Sequence, residues 1–176
     1  MTTALLVMAA LGCAGYAKAS FDSKAYPTNQ VAINRLVILA NLKNASMGDK
    51  MYRGLSEGLT KGFEACNVRS TILQVDPLDL DNGIDDAATA FNASATMAIV
   101  ARGNEIVKAH ALGFAEKLHF ELAIFDAGSG NPIWLANSVL DLGTPSAFKD
   151  DTLSGSRFAA SIVARIRGDG VLNDCK

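Results

Sequence analysis

The sequence predicts an α/β (α+β) domain, a single mixed sheet of about five or six strands with three helices packed on it, ending in a β-hairpin followed by a helix. Three observations carry that prediction. From Leu118 to Leu142 the chain reads as a hairpin, because Leu118, Phe120, Leu122 and Ile124 alternate with His119, Glu121, Ala123 and Phe125. That two-residue period belongs to a strand with one buried face. Upstream, short apolar runs at Leu36 to Ala40, Ser70 to Val75 and Thr96 to Ala101 are separated by amphipathic stretches, so strands alternate with helices. Downstream, Phe158, Ile162 and Ile166 recur at four-residue spacing, which is one face of a helix.

In chain order, Ala4 to Ala14 is uncharged and rich in Ala, Leu, Val and Met. It is too short to span a bilayer as a helix but suits the apolar core of an export signal. Two cleavage points compete. Ala17-Lys18-Ala19 before Ser20 has the small side chains a general signal peptidase admits, giving a signal at 1–19. Ala10-Leu11-Gly12-Cys13 resembles a loose bacterial lipobox, giving a signal at 1–12 with Cys13 lipidated. Residues 20–34, with Pro27, Thr28 and Asn29 and no clear period, read as an arm, and 35–176 as one domain.

Leu36 to Ala40 is a continuous apolar run suited to a central strand. A helix follows from Ser46 or Asp49, with Met51, Leu55, Leu59 and Phe63 as its buried face. Gly54, Gly58 and Gly62 form a second row at the same spacing. Each glycine costs a helix roughly 1 kcal/mol relative to alanine, so the row needs a reason: close approach of a neighbouring element, or a flat groove for a partner. Ser70 to Val75 is the next strand, ended by Asp76-Pro77. A short Ala-rich helix covers Ile84 to about Ser94, and Thr96 to Ala101 is a third strand. Asn104 to Lys117 is an edge strand or a loop. In the hairpin, Asp126-Ala-Gly-Ser-Gly-Asn-Pro132 is dense in turn residues. The last helix has Thr152 or Ser154 as its cap and Arg165 and Arg167 near its C-terminus, where its dipole favours cations.

Composition bounds the function. The chain has 176 residues, 49% hydrophobic, with a net charge of −2. That balance attracts neither nucleic acid nor an anionic membrane surface, so no nucleic-acid partner is expected, and membrane contact only through Cys13. Export leaves Cys66 and Cys175 free to pair, and an oxidising compartment permits the disulfide. Catalytic patterns are weak. Neither His110 nor His119 sits in a metal-binding spacing, and no nucleophile elbow or phosphate loop occurs. Asp79, Asp81, Asp85 and Asp86 suggest calcium, but Ala90 stands where a closing glutamate belongs. No catalytic residue, cofactor or metal is therefore expected. Trp134, the only tryptophan, either closes the core or anchors a partner.

The run Asp126, Gly128-Ser-Gly130 and Pro132-Ile-Trp134 between two strands resembles a recurrent hairpin of small bacterial envelope lipoproteins. Families with a domain like that of LpoB, the activator of a penicillin-binding protein, or like the N-terminal domain of TolB, share it. The resemblance implies a small α/β domain that binds other envelope components without catalysis, either free in the periplasm or anchored to the outer membrane. The expected function is thus an exported, non-enzymatic binding or assembly protein with an envelope protein partner, and Gly54, Gly58, Gly62 and Trp134 as candidate partner surface. A periplasmic hydrolase or metal-dependent enzyme with dispersed residues, and a secreted effector or adhesin, are the alternatives.

Overall fold

The computed structural model describes residues 17–27, 32–42, 45, 47–75, 80–108, 113–143, 151–172 and 175, with the side chains of 80–85 excepted. Its elements are β1 (Lys18–Ala25), β2 (Arg35–Asn41), α1 (Asp49–Glu64), β3 (Arg69–Gln74), α2 (Leu80–Phe91), β4 (Ala95–Lys108), β5 (Phe114–Asp126), β6 (Pro132–Asp141) and α3 (Asp151–Gly168). The strands form one six-stranded sheet in the order β1-β6-β5-β4-β2-β3. β3, β2 and β4 run parallel, while β4, β5, β6 and β1 are joined by antiparallel ladders. The expected mixed sheet with three helices is therefore present.

Connection handedness divides the helices between the faces. The path β2-α1-β3 moves one way across the sheet and β3-α2-β4 returns the other way. Right-handed crossovers then place α1 and α2 on opposite faces. Burial follows this division: Leu36 and Ile38 join Met51, Leu55, Leu59 and Phe63 of α1 in the main core, while the fully buried Val37 and Leu39 point away from it, toward α2. The continuous apolar run of β2 is what a strand covered on both faces requires.

α3 joins α1 on the main-core side. Its stripe of Phe158, Ile162 and Ile166 is buried as the spacing predicts. Beneath it Phe21 of β1, Ser138 of β6 and Phe120 of β5 lie side by side in register. Phe158 sits over both rings, with centroids 6.5 Å from Phe21 and 4.8 Å from Phe120. The small Ser138 between them leaves room for that aromatic layer.

Several expectations are corrected. The arm at 20–34 contains a regular strand: β1 pairs along its whole length with β6, from Lys18 opposite Asp141 to Ala25 opposite Trp134. Ala19, Phe21, Ser23 and Ala25 turn toward the helices, but Phe21 alone is large and apolar, which left the alternation weak. Within the stretch expected to be an edge strand or a loop, Asn104 to Lys108 extends β4 and Phe114 to Lys117 starts β5, so the two strands pair beyond the rest of the sheet. α3 begins at Asp151, which places Thr152 and Ser154 inside its first turn rather than at its cap. Asp76 and Asp79, with the side chains of Asp81 and Asp85, lie outside the described residues.

Candidate interaction surface

Two of the expected surface features are interior. The glycine row of α1 lies against α3. A Cβ added at Gly54 would collide with the Thr152 carbonyl, at Gly58 it would sit 2.7 Å from the Ala159 Cβ, and at Gly62 2.8 Å from a Val163 methyl. Gly155 of α3 is equally tight against the Met51 carbonyl, and the Ser156 hydroxyl donates to the Gly54 carbonyl at 3.2 Å. The row thus lets two backbones touch, and no partner reaches it. Trp134 is fully buried, so it is not a partner anchor either.

The Trp134 indole instead takes part in a polar latch. Its Nε1 donates to Asp169 Oδ2 at 2.8 Å, and the Ser23 hydroxyl donates to the same oxygen at 2.5 Å. Arg165 Nε donates to Ser23 Oγ at 2.7 Å, and the guanidinium pairs with Asp169 Oδ1 at 3.0 Å. One carboxylate thereby ties β1, β6 and the end of α3. Burial works to raise the Asp169 pKa, but the three donors and the Arg165 charge outweigh it and hold the carboxyl below its usual range.

Cys66 and Cys175 form a disulfide across 109 residues of chain. It pins the C-terminal tail beside the end of α1. At the hairpin turn, Asp126 accepts bonds from the Ser129 hydroxyl and from the Gly128 and Ser129 amides. The Ser129 hydroxyl first, then the amides, lowers its pKa. This Asx turn, with Gly130 at φ 70°, explains the Asp-Gly-Ser-Gly pattern by backbone geometry.

What remains available is the face of β1, β6 and β5 opposite α1 and α3, which no helix among the described residues covers. From Leu118 to Ile124 of β5 and from Trp134 to Leu140 of β6 the helix-side positions are buried while the alternate positions are partly or fully exposed. Asp22, Asn137 and Glu121 stand in register across it. Glu121 pairs with Arg102, and His119 Nε2 lies 3.4 Å from Glu105. His119 and Glu121 thus each meet a separate partner rather than converge. A shallow depression of about 570 Å³ lies between the strands, walled by Asp22, Lys24, Tyr26, Glu121 and Asn137. Sequence periodicity marks this face as the polar side of β5, but its width was hidden because β1 was not evident.

Among the described residues no group of three or more His, Cys, Asp or Glu side chains is placed to hold a metal ion. No helix among them is long and apolar enough to cross a membrane.

The molecule is thus an α/β domain whose antiparallel half-sheet is helix-covered on one side and open, with mixed charge, on the other. Its fold is similar to that of PelC from Paraburkholderia phytofirmans, solved as a dodecamer, with 13% identity and a TM-score of 0.53 over 88% of this chain and 98% of that one. A single-substitution form of that dodecamer gives 12% identity and a TM-score of 0.52, covering 88% and 99%. Lipoprotein GNA1162 from Neisseria meningitidis matches with 13% identity and a TM-score of 0.46, over 76% of this chain and 98% of that one. At these identities the likeness is one of fold. No protein-family model and no curated protein matches the sequence.

Proposed function

We propose that the chain is an exported, non-enzymatic binding or assembly protein of the bacterial cell envelope, working through the open face of its sheet. The carrying observation is the Cys66–Cys175 disulfide in a chain that begins with an apolar, signal-like segment. Such a bridge suits an oxidising compartment outside the cytoplasm. Maturation before Cys13 is the cleavage this reading adopts. Cleavage after Ala19 would remove Lys18 and Ala19, which the β1–β6 ladder uses opposite Asp141 and Leu140.

The open face favours a protein partner over a small substrate, because its depression is shallow and Glu121 on its wall is already paired with Arg102. PelC forms a dodecamer, and the fold likeness supports self-association as the form this assembly takes. The Asp126 to Trp134 hairpin supports the finer likeness to LpoB-like and TolB-like envelope domains.

Crosslinking in the native envelope, followed by mass spectrometry, tests the reading. It identifies the partner, or self-crosslinks across β1 and β6, and the N-terminal peptide reports the cleavage. Recovery of the chain in the cytoplasm with free thiols sinks the envelope assignment. A turnover activity abolished by Glu121→Gln would favour the enzyme alternative.

A further inference from the structure

β4 and β5 outrun the rest of the sheet at one end. The β2 ladder leaves β4 at Val100, and the β6 ladder meets β5 only from Lys117 onward. Past those points Ile106 to Lys108 pairs with Phe114 to Glu116 as a ribbon, steadied by backbone bonds between Glu116 and Leu142 and Gly143. A bulge at Ala101/Gly103, with Gly103 at φ 144°, sets the ribbon off from the sheet.

Opposed residues of an antiparallel ladder share a face. Ile106 faces Glu116 and Phe114 faces Lys108, so Ile106 and Phe114 are diagonal neighbours on one side of the ribbon. They are 68% and 61% exposed, the most exposed large hydrophobics among the described residues. An exposed apolar pair of this kind on one face of a ribbon end gains by being covered.

The register shows what lies beside it. Lys18 stands opposite Asp141, Asp141 opposite Lys117, and Lys117 opposite Glu105. The chain therefore enters β1 at the ribbon end of the sheet. Cys13 is five positions before Lys18, so an acyl group there would hold this end within roughly 18 Å of a bilayer. From Lys117 to Phe114 the ribbon reaches roughly 10 Å in the direction of its tip. Anchor and ribbon have comparable reach on the same side of the molecule.

We propose that the free end of the β4–β5 ribbon is a lipid-contacting element, with Ile106 and Phe114 entering the headgroup region of the bilayer that holds the N-terminus. The inference rests on the envelope reading for its anchor. Lys108, on the same ribbon face, supplies a cation for lipid phosphates. Glu116 accepts a bond from the Asn104 amide at 3.3 Å instead of standing alone toward the membrane. The contact sets the orientation of the domain and leaves the open sheet face clear of the lipid.

The test uses Phe114→Trp in a chain running from residue 13, with Cys13→Ser, which keeps every described residue. An N-terminal histidine tag tethers it to vesicles of phosphatidylethanolamine and phosphatidylglycerol containing brominated lipid and a nickel-chelating lipid. The buried Trp134 sets the background, and Asn137→Trp on the open face is the control. Tethering should blue-shift the Phe114→Trp emission and quench its added signal about twofold or more, as for a side chain at the headgroup boundary, while Asn137→Trp is unaffected. Unquenched, water-like emission at position 114 on tethered vesicles overturns the proposal. So does a concentration-dependent blue shift without lipid, which would give the ribbon to a second copy. Because the tag replaces natural acylation, failure of the envelope reading is scored separately, by membrane fractionation of the native chain.

Discussion

Asp169 and Ser138 show how single polar groups are handled differently within one core. Asp169 is satisfied by three side chains and has a lowered pKa. A lowered folded-state pKa gives stability that is full above the unfolded pKa and lost as the pH falls through the folded one. Acid unfolding should therefore show a loss below about pH 4 that Asp169→Asn lacks, with the variant less stable at neutral pH by about 1–3 kcal/mol in urea titrations. Ser138, by contrast, is buried with no partner for its hydroxyl among the described residues. Ser138→Ala should raise the midpoint of thermal unfolding, because it removes an unpaired polar atom at no cost in size. Gly54→Ala should lower it by more than the usual helix-propensity gain could offset, since the added methyl meets the α3 backbone. The glycine row was legible in the sequence as a need for closeness. What approached it was not, because spacing along α1 carries no information about α3.

At the level of elements, the central strand β2, the helices α1 and α3 and the β5–β6 hairpin could each be read from periodicity, since each buries several large apolar side chains on a regular face. β1 could not. As an edge strand it needs only one covered face, and it fills that face with Ala19, Phe21, Ser23 and Ala25. Its pairing with β6 depends on residues more than a hundred positions away, which local pattern does not encode. Phe21→Ala tests its weight: loss of the ring beside Phe158 should cost about 1–3 kcal/mol if β1 is integral to the core, less than for a fully buried phenylalanine because Phe21 is only partly buried. A fall under about 0.5 kcal/mol, the range of ordinary surface changes, would return it to the status of a loose arm. The disulfide acts on the other end of the chain. Reducing it, or Cys175→Ser, should lower stability by about 2–5 kcal/mol, measured by guanidinium unfolding with and without reductant.

For the whole molecule, the candidate surface was the least legible part. The sequence marks the polar side of β5 but places the candidate partner residues at Gly54, Gly58, Gly62 and Trp134, all of which the fold turns inward. The reason is physical: glycine and tryptophan serve both interfaces and cores, and only the three-dimensional path decides between them. Light scattering of the oxidised chain should separate a monomer from a closed assembly, and Asn137→Arg on the open face should shift the assembly toward monomer. The latch at Asp169 also bears on the order of events during folding. β1 is the first strand to be made, yet Ser23 and its partner Asp169 are 146 residues apart, and Cys175 follows later still. β1 stays unpaired until β6, which ends at Asp141, has followed it, and the latch and the disulfide come only after that. The edge of the sheet is thus laid down first and fastened last.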